Sequence, residues 1–568
     1  MKGFKESEVN KFGKDKQNSK NKNLALLQNA LILQKKGELN EAAKIYNKLI
    51  KNKFFEEKVF LNYASICQDQ NKLDDAIVLL KEAIRINPKN FIAFFKMGFI
   101  LNNRGKVYEA YPFAKKAIEL NPNFWQGYHN LIKILRELNR PKDAASIAEK
   151  ARNLFSSNHL FDGLLGEINA DIGNFEEAIE NYEKAIKKAP NNDETLCWTI
   201  YTYANFLVAI GRKKESISYL RKVLDLNPKY ALGYYLLSDI VISQQDEALE
   251  NIILNTQITN FNNLEDKYTI LFAKSNIFHK RKDYEKSSDL LKQGNDLKLL
   301  DKPSDLEENI NYCEKVKEKT NLDKSFDQPK FKFLRDIFIV GLPRSGSTLI
   351  ESILGMNKDV YNLGENTILL NALKESEESN YSNIDQIYLK LSQNFSSKKI
   401  TTNKMLGNFM LIPHMISKLQ HSKVIYTFRN PLDNILSMYR AKFTGNGHKY
   451  SSSLIDSATY YIHHFKIMSF YKEKYKNHIY FLNYDKLVNN PKIEINKLLS
   501  WLEIPWNDSY LNHHKSKQGF FIASNVQVRS PINNKSVGGW QNYSNLLRES
   551  LDVFESKNFP LDSFEKFS

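Results

Sequence analysis

Five small or turn-forming residues, Gly37, Asn71, Gly105, Asn139 and Gly173, stand 34 positions apart at every step. Five residues beyond each comes an alanine: Ala42, Ala76, Ala110, Ala144 and Ala178. Prolines echo the period at Pro88, Pro122 and Pro190, and a further copy with Gly211, Ser216 and Pro228 follows after a step of 38. A period of this length marks stacked units, none of which can bury its apolar face alone. Small residues let two antiparallel helices cross closely, and a proline, having no N–H to donate, ends the second helix.

This spacing resembles the tetratricopeptide repeat. The resemblance implies an all-α solenoid over residues 24–240, with a concave surface of the kind that binds a peptide or a partner helix. Leu264 to Leu300, with Lys282 and Ser287 at the turn positions, reads as a degenerate further copy, so residues 241–325 are expected to be a degenerate repeat and helical linker. Residues 1–23 are polar, lysine-rich and without apolar periodicity, which predicts a disordered basic leader.

Length and charge narrow the class. The chain has 568 residues and a formal charge of +16. Lysine is abundant throughout rather than gathered into a footprint, so nucleic acid is not expected as a partner. Cys67, Cys197 and Cys313 lie far apart without a CxxC pair, which offers neither a disulfide framework nor a cysteine zinc site. No apolar run approaches the roughly 18 residues that span a bilayer. These features predict a reduced, cytoplasmic protein with no membrane span and no metal.

From Phe331 the period changes. Asp336 to Val340 is a short apolar run rich in branched residues, followed by a glycine loop and a helical pattern with Leu349, Ile350, Ile353 and Leu354 on one face. Lys423 to Phe428 and His478 to Asn483 are similar strand candidates separated by helical stretches. Strands alternating with helices predict an α/β domain with a parallel sheet over residues 326–568, ligands lying at the carboxyl ends of its strands.

Gly341-Leu-Pro-Arg344-Ser345-Gly346-Ser347-Thr348 stands between the first strand and its helix. Backbone N–H groups of such a loop and the positive end of the helix hold an anion. A nucleotide triphosphatase would need lysine where Ser347 stands, and the strong strand 423–428 ends in Arg429 rather than in a magnesium-binding carboxylate. A phosphoanhydride donor of another kind suits the loop better. In the segment Arg429-Asn-Pro-Leu-Asp-Asn-Ile-Leu-Ser437, Pro431 suits a first helical turn and Asn430 its cap. Arg429 then sits at the strand end with Ser437 about two turns along the helix, a second anion site.

Together the two segments resemble the sulfotransferases that use 3′-phosphoadenosine 5′-phosphosulfate. The resemblance assigns the phosphosulfate to Arg344, Ser345, Gly346, Ser347 and Thr348, and the 3′-phosphate to Arg429 and Ser437. Leu363-Gly364-Glu365-Asn366-Thr367 resembles the tyrosylprotein sulfotransferases, whose catalytic glutamate falls at Glu365 and whose catalytic lysine falls at Lys404 in the pair Asn403-Lys404. Repeats followed by such a domain resemble bacterial tetratricopeptide-repeat sulfotransferases. Ser524 to Pro531 and Gly538-Gly539-Trp540 resemble the closing segment over the nucleotide, which adds Ser524, Tyr484 and Lys535 as donor-binding candidates. Gly539 departs from the pattern, because related proteins commonly carry arginine or lysine there.

The roles also follow from the chemistry. Sulfuryl transfer to a hydroxyl needs a base for the acceptor proton, here Glu365, and cations for the charge on the departing phosphate oxygen, here Arg344 and Lys404. His414, His448, His463 and His464 are alternative bases, although the aromatic neighbours of His463 and His464 suit helix packing. The acceptor stays open among protein tyrosine, a glycan and a small alcohol, with the repeats recruiting a protein or peptide. A non-enzymatic repeat scaffold with an inactive transferase domain, and a kinase using the glycine loop, are the competing readings.

Overall fold

The structure, a computed structural model, describes residues 3–190, 193–241, 246–322, 333–379, 383–443, 447–515 and 530–567. The chain divides into two compact units, Met1–Phe161 and Asp162–Ser568.

The first unit is a run of helical hairpins, among them Leu39–Lys51, Glu57–Asp69, Leu73–Ile86, Phe91–Asn103, Val107–Leu120, Trp125–Glu137 and Pro141–Leu154. The periodic residues explain the hairpins. Gly37, Asn71, Gly105 and Asn139 take positive φ of 82°, 57°, 71° and 57°, the left-handed turn that reverses the chain between helices. Ala42, Ala76, Ala110 and Ala144 are fully buried at the helix crossings. Helices Leu73–Ile86 and Val107–Leu120 each stop two residues before a proline, Pro88 and Pro122. The backbone is helical from Gly3, inside the segment expected to lack order. Lysine, glutamate and glutamine are good helix formers even without an apolar stripe.

The second unit begins with the same hairpins. Gly173 and Gly211 take φ of 94° and 89°, and Ala178 and Ser216 are fully buried. The degenerate copy keeps the geometry: Lys282 takes φ 63° and Ser287 is fully buried, between helices Leu264–Lys280 and Tyr284–Asp301. Serine at the crossing hydrogen-bonds the facing helix, Ser216 Oγ donating to the Ala204 carbonyl at 2.9 Å and Ser287 Oγ to the Ser275 carbonyl at 3.1 Å. A buried hydroxyl is thereby satisfied where the other copies carry alanine.

Beyond helix Leu306–Leu322 comes, among the described residues, a five-stranded, wholly parallel sheet. Its strands are β1 (Asp336–Gly341), β2 (Val360–Asn362), β3 (Ile400–Asn403), β4 (Ser422–Phe428) and β5 (Ile479–Asn483), in spatial order β2-β3-β1-β4-β5. Alternate residues divide between two cores. Ile337 and Ile339 of β1 and Ile425 of β4 pack with Ile350, Ile353, Leu498 and Leu499. Phe338, Val340, Val424, Tyr426 and Phe428 pack on the other face. That second core also takes in Tyr268, Phe272, Leu291 and Cys313, so the helices over 264–322 belong to the sheet's own core rather than linking two separate bodies. Among the described residues no helix is long and apolar enough to cross a membrane.

Phe272, fully buried in this core, supplies a test of that packing. Phe272→Ala should cost roughly 3–5 kcal/mol, read by urea unfolding of the whole chain through tryptophan fluorescence. A loss below about 1 kcal/mol, the range of a surface substitution, would place the helix outside the core.

Candidate active site

Two close approaches build the loop after β1. Gly341 has φ 149°, and a Cβ there would lie 2.4 Å from the Thr427 carbonyl oxygen of β4. Gly346, with φ 94°, precedes helix Ser347–Leu354, and a Cβ there would lie 2.2 Å from the ring of Tyr484. Only glycine fits either place. Between them Arg344 takes φ 67°, a left-handed backbone that a long side chain adopts only when its surroundings hold it. Asn434 Nδ2 donates to the Pro343 carbonyl at 2.8 Å, and Arg344 Nε donates to Ser437 Oγ at 3.0 Å. Ser345 Oγ bonds Thr427 Oγ1 at 2.7 Å, so this hydroxyl ties the loop to β4. Ser347 and Thr348 open that helix and are buried.

After β4, Asn430 accepts from the N–H groups of Leu432 and Asp433 at 3.0 and 3.2 Å and caps helix Pro431–Tyr439, with Pro431 in its first turn. Arg429, 5% exposed, donates to the Ser536 carbonyl at 2.7 Å and lies 4.8 Å from the centre of the Tyr484 ring. Its charge is answered by Asp433 at 3.5 Å and Asp485 at 3.8 Å, while its Nε is buried without a hydrogen-bond partner among the described residues. The sequence grouped Arg429 with Ser437. In the structure Ser437 bonds Arg344 and Arg429 holds Ser536, so the two anion segments interlock. Burial pulls the Arg344 guanidinium below its ordinary value, and the charges of Arg440 and Arg429 act in the same direction.

Asp433 has a role the sequence did not reveal. Its Oδ2 accepts from Gly538 N–H at 2.7 Å and its Oδ1 from Trp540 N–H at 2.9 Å, which laces the closing segment to the helix after Arg429. An aspartate four residues after an arginine looks like a helix-surface ion pair, and only the fold shows what else it reaches. Tyr484 OH and Ser536 Oγ lie 3.1 Å apart. Lys535 is exposed nearby. A Cβ on Gly539 would meet only Asp433 Oδ1, at 3.8 Å, so a side chain has room there. Ser524 lies outside the described residues.

At the ends of β2 and β3 the remaining candidates meet. Lys404 is fully buried and its Nζ lies 2.5 Å from Glu365 Oε1, whose side chain stays 46% exposed. Lys404 N–H donates to the Gly364 carbonyl at 2.9 Å. Glu351, on the loop's own helix, accepts from Gly364 N–H at 3.0 Å and Thr402 Oγ1 at 2.8 Å, tying both strands to the loop. Burial raises the Glu351 pKa, against the pull of the Lys404 charge. Its place about one turn into a helix gave no sequence sign of this.

The alternative histidines divide. His464 is buried against Phe409, ring centres 4.4 Å apart, and burial pushes its pKa down to about 3. His463 lies 3.8 Å from Glu314 and His414 is exposed. His448 faces Glu365 electrostatically. Among the described residues no group of three or more histidine, cysteine, aspartate or glutamate side chains could hold a metal ion.

Residues 334–557 match the family described as sulfotransferase domain, and residues 64–105, 163–192 and 199–230 match tetratricopeptide-repeat families. The chain carries a sulfotransferase domain behind tetratricopeptide repeats. An Aquifex aeolicus protein described as uncharacterized is 25% identical over 397 residues, 61% of this chain and 49% of that protein. Protein-tyrosine sulfotransferase 1 of Danio rerio is 25% identical over 232 residues, 36% of this chain and 65% of that protein. The protein-tyrosine sulfotransferase of Drosophila melanogaster is 24% identical over 250 residues, 38% of this chain and 49% of that protein. The matched region thus spans about half to two thirds of each relative's length. The crystal structure of YrrB, a tetratricopeptide-repeat protein with an unusual peptide-binding site, shares 18% identity at a TM-score of 0.27, over 34% of this chain and 96% of that chain. The sulfotransferase domain contains every candidate site residue named above, and the loop after β1 lies eight residues into it.

Gly346→Ala should strain the loop and displace Tyr484 together. We expect a stability loss of about 1–3 kcal/mol, the cost of a side chain forced into a left-handed site, with weakened binding of adenosine 3′,5′-bisphosphate. Urea unfolding and calorimetry check the two effects, and a variant with parental values in both would remove Gly346 from the loop's design.

Proposed function

We propose that the sulfotransferase domain moves a sulfuryl group from 3′-phosphoadenosine 5′-phosphosulfate to an acceptor hydroxyl, a protein tyrosine first among the candidates. The observation that carries this reading is the buried Lys404 held against the half-exposed Glu365 at 2.5 Å, beside strands tied through Glu351 to the loop helix. The donor supplies an activated sulfur on a phosphate leaving group. Arg429, whose buried Nε has no hydrogen-bond partner among the described residues, suits a phosphate at the 3′ position, and the N–H groups of the loop with Ser347 and Thr348 suit the 5′ side.

Glu365 takes the acceptor proton as the acceptor oxygen bonds to sulfur. Arg344 and Lys404 offset the charge that passes to the phosphate oxygen when its bond to sulfur breaks. Their burial strengthens both effects, because the field of a charge is less screened away from water. Two named relatives are protein-tyrosine sulfotransferases, which supports a tyrosine acceptor. The repeats, with a surface of the kind that binds peptides, recruit that acceptor or its carrier.

Glu365→Gln keeps the size of the side chain and removes its basicity. It should lower turnover about a hundredfold or more while adenosine 3′,5′-bisphosphate binds as to the parent, measured by sulfate transfer and by calorimetry. Loss of nucleotide binding together with turnover would make Glu365 structural, and parental turnover would remove it as the base. Gly539→Arg supplies the cation that related proteins carry and has space to do so. It should tighten adenosine 3′,5′-bisphosphate by about tenfold, the value of one charge-assisted contact, and unchanged affinity would show that the 3′-phosphate does not approach residue 539.

A further inference from the structure

Strand β5 is an edge of the sheet. Among the described residues it pairs with β4 alone, and its five residues make it longer than β2, the three-residue strand at the opposite edge. Val424 N–H donates to the His478 carbonyl at 3.2 Å, so in this parallel register His478, Tyr480 and Leu482 turn their backbone groups toward β4. The N–H and C=O groups of Ile479 and Phe481 therefore point away from the sheet. Among the described residues no backbone hydrogen bond meets them from outside it. The strand itself carries neither a charged residue nor a proline, the devices that ordinarily blunt an edge.

A cavity of about 600 Å³ lies along this edge, and its walls are aromatic. On one side Trp501, of helix Pro491–Leu502, stands 5.3 Å from Tyr480, ring centre to ring centre. Lys423 holds it there, 4.9 Å from the Trp501 ring and donating to the Trp501 carbonyl at 2.6 Å. On the other side Phe567 stacks on Phe481 at 5.2 Å. Lys472 lies 5.5 and 5.6 Å from those two rings and donates to the Lys566 carbonyl at 2.7 Å. Both walls are thus fixed by the protein's own contacts. The lining is basic: Lys476, Lys486 and Lys497 stand against one carboxylate, Glu494, which pairs with Lys497 at 2.7 Å.

We propose that this groove binds an extended acidic segment of a partner protein, which joins the sheet as a further strand beside β5. Main-chain bonds to Ile479 and Phe481 supply affinity, and the lysines select the sign of the partner's charge. Only another strand offers donors and acceptors at the spacing these groups require. A second copy of this chain fits less well. Lys476 lies three residues before β5 and Lys486 three beyond it, so antiparallel pairing of two β5 edges would set like charges side by side. The surface runs along the strand rather than at its carboxyl end, and its reading is independent of the transfer reaction.

The test is calorimetric titration of the full chain with a blocked eight-residue peptide of alternating glutamate and valine, and with two versions N-methylated on the glutamates or on the valines. Successive residues of a strand present their backbone to opposite sides. One methylated set should therefore bind at least about tenfold more weakly, the loss of two or more hydrogen bonds, and the other within about threefold of the parent peptide. The double variant Lys486→Glu, Lys497→Glu changes two exposed side chains. It should bind the glutamate peptide about tenfold more weakly and prefer the matching lysine–valine peptide. Equal affinity for all three glutamate peptides, or parental affinity in the double variant with parental circular dichroism, would overturn the proposal. A dimer of the chain in sedimentation equilibrium that the peptide fails to displace would give the edge to a second copy and overturn it as well.

Discussion

The Thr427 carbonyl oxygen occupies space 2.4 Å from where a Cβ of residue 341 would lie, and the candidate site depends on that approach of β1 to β4. It brings the end of β1 against the end of β4, so the loop that leaves one strand and the helix that leaves the other start side by side. Asn434 can then reach the Pro343 carbonyl, and Ser437 the Arg344 side chain. The left-handed backbone of Arg344 is sustained by these contacts rather than by local preference. A guanidinium held by such contacts is placed before any ligand arrives, which is a form of preorganisation.

From there the structure grows outward by carboxylates. Glu351 ties the ends of β2 and β3 to the loop helix, and Asp433 ties the closing segment to the helix after Arg429. Asp305 ties the turn carrying His448 to the helices that precede the sheet. In each case one carboxylate accepts two hydrogen bonds, a charge-assisted arrangement stronger than a neutral pair. Three chain segments far apart in sequence are thereby fixed around the strand ends. The helices over 264–322 share the sheet's core, so the last hairpin of the repeat pattern is also a structural part of the transferase unit.

Much of this was legible in the sequence, for physical reasons. The 34-residue period records a left-handed turn and a buried small residue in each copy, and neither position tolerates many residue types. The glycine loop, the Asn430 cap and Pro431 are local features written in adjacent residues. Strands β2 and β3 were not legible, because three and four residues are too few to display alternation. Lys404 and Glu365 were found by family resemblance rather than by pattern. Asp433, Glu351 and Asp305 escaped because each acts on backbone groups 13 to 145 residues away, a relation that exists only once the sheet has formed. Ser437 was paired with Arg429 on helical spacing, whereas its bonded neighbour, Arg344, comes from another strand's loop.

The proposed function requires two anion sites at the strand ends, one on the loop after β1 and one at Arg429, for a nucleotide phosphorylated at both 3′ and 5′ positions. Calorimetric titration of the full chain with adenosine 3′,5′-bisphosphate and with adenosine 5′-monophosphate, both without magnesium, measures this directly. The bisphosphate should bind at least about tenfold more tightly, as one charge-assisted contact requires. Equal affinity for the two nucleotides would contradict the second site and with it the assignment of the donor.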